Sequence, residues 1–83
     1  MIDAELLANL DRLHTTPLGT ERVRRNLSAQ IGDVAAWCRA CLAEPDAESS
    51  RRGKNWYAAA KGVLWTINAR SHTIITAHPI PGK

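Results

Sequence analysis

The stretch from Arg51 to Pro79 contains no acidic residue and carries the clearest β-type patterning of the chain. Short runs rich in β-branched and aromatic residues, separated by two-residue turn signals, are typical of an antiparallel meander. The turn signals are Lys61-Gly62 and Arg70-Ser71, and the runs are Asn55 to Ala60, Val63 to Ala69 and His72 to Ala77. We therefore predict a three-stranded antiparallel β-meander.

Two-residue turns would pair Ala60 with Val63 and Ala69 with His72, and this register assigns each side chain to a face. The more apolar face is expected to pack against helices. It collects Trp56, Ala58, Trp65, Ile67 and Ile74, with Thr76, His72 and His78. The mixed face, open to a partner, collects Tyr57, Ala59, Leu64, Thr66, Asn68, Thr73 and Ile75.

The residues before the meander predict three helices, each preceded by a capping side chain. Their ranges are Asp3 to about His14, Pro17 to about Ala29, and Val34 to about Ala43. The fold class expected is α+β, with three N-terminal helices packed on one face of the meander. We expect one domain over residues 1–83, divided into a helical half (1–44), a linker (45–50), the meander (51–79) and a flexible tail (80–83).

The location expected is the cytoplasm, without a membrane partner. No apolar run approaches the ~20 residues of a membrane span, and Met1-Ile2-Asp3 does not resemble a signal peptide. Cys38 and Cys41 are therefore expected to be reduced, and their helical spacing favours a buried apolar role. Because a zinc site would need further ligands that the sequence does not supply nearby, we predict neither a metal nor a cofactor.

Charge is distributed unevenly along the 83 residues. Residues 1–48 carry five basic and eight acidic groups, whereas residues 49–83 carry six basic groups and none that are acidic. A basic sheet half favours an anionic partner, and nucleic acid fits this requirement best. Solubility or an acidic protein partner would explain the same distribution.

The leading hypothesis is RNA binding through the sheet half. Cations would contact phosphates, an aromatic ring would stack on a base, and polar side chains would donate or accept hydrogen bonds. The residues assigned to this role are Arg51, Arg52, Lys54, Tyr57, Asn68, Arg70 and Thr73. The alternative for the Arg51 to Asn55 cluster, a solvated basic loop that leads into a strand, has about equal weight.

Two other hypotheses remain open. A metal-free ribonuclease of toxin type would use His78 or His72 with Lys54 and Arg70 as acid, base and cationic groups. A protein-interaction module or homodimer would use the mixed face, with Leu64 and Ile75 as apolar anchors. The sequence does not decide whether the protein is an enzyme.

Three motifs carry a resemblance to a known family. They are Gly53-Lys54-Asn55-Trp56-Tyr57, Thr66-Ile67-Asn68 and the S-x-T-x-x-T-A segment Ser71 to Ala77. They resemble a family of small bacterial proteins catalogued as a domain of unknown function, and the resemblance implies the α+β fold but no activity. A fainter similarity, limited to architecture and Ile75-Thr76-Ala77-His78, links the chain to ribonuclease toxins of the RelE and barnase-colicin type.

Overall fold

The protein is described by a computed structural model that covers residues 2–27 and 31–80. Its elements, in chain order, combine short helices with a five-stranded mixed sheet. They are α1 (Ala4–Ala8), a 3₁₀ helix (Leu10–Arg12), β1 (His14–Thr15), α2 (Pro17–Leu27), α3 (Val34–Leu42), β2 (Glu48–Arg52), β3 (Asn55–Ala60), β4 (Val63–Asn68) and β5 (Thr73–Pro79).

The prediction of a three-stranded antiparallel meander was wrong. The strand order is β1-β5-β4-β3-β2, so the predicted runs form the three central strands β3, β4 and β5 of a larger sheet. One added edge strand, β1, pairs with β5 in parallel, whereas β2 pairs with β3 antiparallel. The sheet is therefore mixed, although the overall class remains α+β.

Both added strands lack the alternation that identifies a half-buried strand. β2, Glu-Ser-Ser-Arg-Arg, is polar throughout because it is an edge strand whose side chains are almost all exposed. It begins inside the stretch 45–50 that was interpreted as a linker. β1 is only two residues long, too short for any periodicity, and neither strand could be detected from its pattern.

The first predicted helix is interrupted. Asp3 caps α1 as expected, since its carboxylate accepts hydrogen bonds from the amides of Glu5 and Leu6. The helix ends at Ala8, and the chain passes through the 3₁₀ turn into an extended His14–Thr15 instead of continuing to His14. The extended strand gains backbone pairing with β5, which the Leu6-Leu10-Leu13 periodicity does not reveal.

The caps of the other two helices agree with the prediction. The Thr16 hydroxyl accepts a hydrogen bond from the amide of Gly19 at 3.0 Å, and Asp33 accepts one from Ala36 at 3.0 Å. Helix α3 ends one residue before the expected Ala43. The predicted end of the second helix, near Ala29, lies outside the described residues.

The turns set the register of the hairpins. Lys61 and Gly62 both have positive φ, 53° and 74°, as a type I′ turn requires. Gly53 alone has positive φ in the turn between β2 and β3, as in a type II′ turn. The connection from β4 to β5 is longer than the predicted two residues, and His72 adopts a left-handed conformation with φ 60°.

A bulge in β5 changes which side chains face the core. Thr66 pairs with Thr76, but Ile67 pairs with Ile74, so Ile75 is an extra residue in the ladder. The register shift places Ala77 opposite Trp65 in the core and Thr76 opposite Thr66 on the other side of the sheet. The assignment of Thr76 and His78 to the core face was therefore wrong.

The core lies between the helices and one face of the sheet, here called the core face. Trp56 and Trp65 are fully buried, and Trp37 of α3 contacts Trp65 edge to face with ring centroids 4.9 Å apart. Helix α3 contributes four buried residues to this core, including Cys38 and Cys41. The helices therefore cover the core face. On the opposite face, here called the outer face, α2 reaches only Thr76 near the β5 edge through Asn26.

Helix α2 packs closely on β5. A Cβ atom at Gly19 would lie 2.8 Å from Thr15 Oγ1 and 3.1 Å from the backbone oxygen of Ile74, so the approach depends on the missing side chain. At the other end of the helix, Asn26 Nδ2 donates to Thr76 Oγ1 at 3.0 Å and to the Ala77 oxygen at 3.2 Å. These contacts hold α2 along β5.

The end of β5 is tied to the neighbouring turn. Ile80 N donates to the Gly62 oxygen at 2.9 Å, so the first residue of the predicted flexible tail is bonded to the sheet. The rest of that tail, residues 81–83, lies outside the described residues. None of the described helices is both long and apolar enough to cross a membrane.

Candidate nucleic-acid interface

The outer face presents rows of side chains that the ladders bring side by side. Ser50, Tyr57, Thr66 and Thr76 are successive neighbours across β2, β3, β4 and β5. Tyr57, Thr66 and Thr76 are only partly buried, in contrast to the buried residues that alternate with them along the strands. A tyrosine ring flanked by hydroxyl groups therefore occupies the middle of this face.

A hollow lies beside Tyr57 on the outer face. It has a volume of about 380 Å³ and is lined by Ser50, Arg52, Tyr57 and Leu64. A second hollow of about 250 Å³ shares Ser50, Tyr57 and Leu64 and extends toward Ala59 and Glu48. The arrangement combines an aromatic ring, a guanidinium, a hydroxyl and an aliphatic side chain, as a base and its phosphate would need.

Basic residues gather where two turns meet, at the end of the sheet here called the turn end. The amide of Ala69 donates to the backbone oxygen of Lys54 at 2.7 Å, which joins the β2–β3 turn to the β4–β5 turn. Lys54 and Arg70 therefore lie at the same end of the sheet, and Arg52 is the last residue of β2 at that end. All four of the cations predicted to contact phosphates, Arg51 included, are therefore at the turn end.

No carboxylate of the described residues forms an ion pair with these cations. The ion pairs in the described part of the chain are Arg25–Glu21, at 2.8 Å, and Lys61–Glu44, at 3.4 Å. Neither involves a cation of the turn end. A patch of unpaired positive charge attracts phosphate groups and other anions.

Arg51 and Arg52, adjacent in the sequence, lie on opposite faces. Arg52 lines the hollow beside Tyr57. The Arg51 guanidinium instead lies 5.7 Å from the ring centroid of Trp56, and its Nε donates to the Gly53 oxygen at 2.9 Å. Only one of the two arginines is therefore placed to contact a ligand on the outer face.

Asn68 Oδ1 and the Thr73 hydroxyl are engaged in hydrogen bonds at the turn end. Asn68 Oδ1 accepts from the amides of Arg70 and Ser71, both at 3.0 Å, and from the Ser71 hydroxyl at 3.2 Å. The Thr73 hydroxyl bonds to Ser71 Oγ at 2.7 Å and to His14 Nε2 at 3.0 Å. These residues shape the turn between β4 and β5, a role that the RNA hypothesis did not assign to them.

His14 is the residue of the turn end that sequence reasoning missed. It was placed at the end of a helix, whereas in the structure it pairs with Thr73 across the β1–β5 ladder. Its Nδ1 lies 3.0 Å from the Arg12 oxygen, an acceptor only, so Nδ1 carries the proton. A two-residue parallel strand leaves no sequence signal by which this histidine could have been found.

The structure separates His78 from the other residues proposed for a ribonuclease. Lys54, Arg70 and His72 are at the turn end, but His78 pairs with Leu64, four residues along β4 from Asn68 and therefore about 13 Å away. The His72 ring lies 5.8 Å from Trp56 between ring centroids, and its Nε2 is buried without a hydrogen-bond partner among the described residues. His72, Lys54 and Arg70 therefore share the turn end, whereas the alternative with His78 is split between two regions of the sheet.

The cysteines are free thiols in the core. Burial raises the pKa of the Cys38 thiol strongly, and the pKa of Cys41 is raised by the same cause. A thiol that remains protonated is a poor nucleophile and a poor metal ligand. Their chemistry in this fold is that of small apolar side chains.

The chain matches the model of a known protein family. The model of the family described as "Protein of unknown function (DUF3781)" matches residues 7–78. The chain belongs to the DUF3781 family. The match includes every element from the 3₁₀ helix to β5 except the last residue of that strand, so the outer face and the turn end both fall within the DUF3781 region. No curated protein and no solved structure matches the chain significantly.

Proposed function

We propose that this DUF3781 protein binds single-stranded RNA across the outer face of its sheet. One observation carries the proposal: the partly exposed Tyr57 ring shares a hollow with the Arg52 guanidinium. The hollow lies beside a turn end whose cations have no carboxylate partner within residues 2–27 and 31–80. Stacking on an aromatic ring together with a basic path for the backbone is a common way to bind single strands.

Each group has a role in this complex. Tyr57 stacks on a base, and the hydroxyls of Ser50 and Thr66 on either side of it form hydrogen bonds with the base edge or the 2′-hydroxyl. Arg52 binds the adjacent phosphate, while Lys54 and Arg70 bind phosphates that extend beyond the edge of the sheet. Arg51, held against Trp56 on the other face, adds charge without a direct contact.

The test is fluorescence anisotropy with a labelled single-stranded RNA of about 12 nucleotides. With about three phosphates neutralised, the affinity is expected to fall about twentyfold between ~50 and ~200 mM salt. Absence of binding at the lower salt concentration would overturn the proposal. The same samples, analysed on a denaturing gel in a metal chelator, would reveal a ribonuclease by the appearance of fragments.

Matched substitutions locate the site. Tyr57→Ala should weaken binding about tenfold or more, because a stacked base contributes ~1–3 kcal/mol, whereas Tyr57→Phe keeps the ring and most of the affinity. Lys54→Glu should weaken binding several-fold. Arg22→Glu, which makes the same charge change at an exposed position on α2, is the control, and an equal loss from it would show that only net charge matters.

A further inference from the structure

The outer edge of β2 is a strand edge without a partner in the described chain. The sheet ends at β2, and the side chains of this strand are exposed except for the partly buried Ser49. No backbone group of β2 bonds to any described residue on the side away from β3. An unpaired edge is able to accept another strand.

The backbone groups that face this edge follow from the turn. A two-residue turn closes on Arg52 and Asn55, which are paired across the ladder and therefore exchange backbone hydrogen bonds. Because bonding alternates along an antiparallel strand, Glu48 and Ser50 also bond toward β3. Ser49 and Arg51 direct their N–H and C=O groups outward, so these two residues would bond to an added strand.

We propose that β2 pairs antiparallel with β2 of a second copy of this chain, about a twofold axis at Ser50. In this register Ser49 and Arg51 of one copy bond to Arg51 and Ser49 of the other, which uses every outward backbone group. Ser50 lies opposite Ser50, and Glu48 lies opposite Arg52. The opposite charges share the outer face, so each end of the paired strands carries one Glu–Arg pair.

Neighbouring registers are less favourable. If the twofold axis lay at Arg51, one residue closer to the β2–β3 turn, Arg51 of one copy would lie opposite Arg51 of the other. Like charges would then face each other directly. If the twofold axis lay at Ser49, Arg52 would fall outside the paired strands, and each Glu48 would lie opposite Ser50 of the other copy. Charges usually protect an edge strand from self-association, but here their order, acidic at the start and basic at the end, makes the strand complementary to itself.

Pairing would join two five-stranded sheets into one of ten strands, with both outer faces on the same side. The consequence for RNA rests on the proposed function: two Tyr57 hollows would form one continuous platform. Arg52 would share its five donors between Glu48 of the second copy and a phosphate. The dimer itself is inferred from β2 alone and does not require RNA.

Sedimentation from ~20 μM to ~1 mM is the direct test, because a contact as small as one strand pair is expected to be weak. We expect a reversible dimer. Glu48→Arg and Arg52→Glu should each raise the dissociation constant about tenfold, since each places like charges opposite one another twice. The double variant Glu48→Arg with Arg52→Glu restores both pairs with exchanged signs and should dimerise like the original protein.

A cross-link tests the register independently. Residues opposite each other in a non-hydrogen-bonded pair have Cα atoms about 4.5 Å apart, within the range that a disulfide spans. Ser50→Cys should therefore form a disulfide-linked dimer under mild oxidation, and the same variant with Glu48→Arg should do so much more slowly. A monomer at every concentration, or a dimer indifferent to both charge reversals, would overturn the proposal.

The proposals of RNA binding and of strand pairing can be overturned independently of each other. Glu48→Arg should weaken the dimer about tenfold, yet each copy should bind RNA at least as well as the original protein, because the substitution adds positive charge to the outer face. Loss of RNA binding with an intact dimer would count against the proposed function alone. A strict monomer that binds RNA would count against strand pairing alone.

Discussion

The backbone oxygen of Lys54 accepts a hydrogen bond of 2.7 Å from the amide of Ala69. This contact joins residues of two different turns and continues the β3–β4 ladder beyond the pair Asn55 and Asn68. It explains why basic residues that are sixteen positions apart in the sequence, Lys54 and Arg70, gather at one end of the sheet. The stability of this end depends on how the β4–β5 turn is held.

Asn68→Ala should destabilise the β4–β5 turn. The side-chain oxygen of Asn68 accepts hydrogen bonds from the amides of Arg70 and Ser71, and the substitution leaves both amides to water. We expect the free energy of unfolding, measured in urea, to fall by about 1–2 kcal/mol. Asn68→Asp retains the acceptor and is the control; an equal loss from it would contradict this role.

Gly19→Ala should destabilise the packing of α2 on β5. The new methyl group would lie 2.8 Å from Thr15 Oγ1 and 3.1 Å from the Ile74 oxygen, so the helix must move from the strand. We expect a loss of about 1–2 kcal/mol despite the better helix propensity of alanine. Gly32→Ala, where a Cβ would have no atom within 4 Å, is the matched substitution and should change the midpoint of thermal unfolding little.

Lys61→Asn should stabilise the β3–β4 hairpin. Lys61 is exposed and has a φ of 53° at the first position of the type I′ turn, a conformation that asparagine adopts at lower cost. The expected gain is about 0.5 kcal/mol. Lys61→Val, with a β-branched side chain, should instead lower stability by about 1 kcal/mol. If both variants unfold at the same urea concentration, backbone conformation does not limit this turn.

Stability should decrease at alkaline pH because of Cys38. Burial raises the pKa of its thiol in the folded state, so above pH ~8.5 the unfolded chain releases this proton and the folded chain retains it. In this pH range the folded state binds more protons than the unfolded state. The free energy of unfolding therefore falls by up to about 1.4 kcal/mol per pH unit for this group. Denaturation at several pH values measures the slope.

Cys38→Ala is the control for this pH dependence. The variant should be less stable at neutral pH because a buried side chain is truncated, but its stability should decline less steeply above pH ~8.5. The folded protein should also react slowly with a thiol reagent at pH ~8, and denaturant should expose both cysteines. Rapid labelling of the native protein would contradict a buried, protonated thiol.

Short-range sequence patterns were sufficient to predict the central strands of the sheet and the caps of the helices. The runs that form β3, β4 and β5, the Lys61-Gly62 turn and the caps at Asp3, Thr16 and Asp33 lie where the pattern of residues placed them. Each depends on interactions within a few positions of the chain, such as an amide bonded to a side chain three residues earlier. Periodicity and capping chemistry report such interactions directly.

The sequence predicted which types of residue the candidate site contains, but not how those residues are arranged in space. The excess of positive charge and the place of Tyr57 on the mixed face follow from the sequence, because they need only residue type and strand alternation. To predict that Arg51 and Arg52 lie on opposite faces, one would have to recognise β2 as a strand. That His14 joins Asn68, Ser71 and Thr73 required a contact between residues 59 positions apart.

The sequence by itself determined the helical caps, the central strands, the buried tryptophans and the basic character of the second half of the chain. Tertiary structure alone decided the two edge strands, the bulge at Ile75, the end of the first helix and the meeting of two turns at Lys54 and Ala69. The physical reason is that edge strands and bulges are stabilised by backbone pairing with distant residues, which selects no particular side-chain pattern.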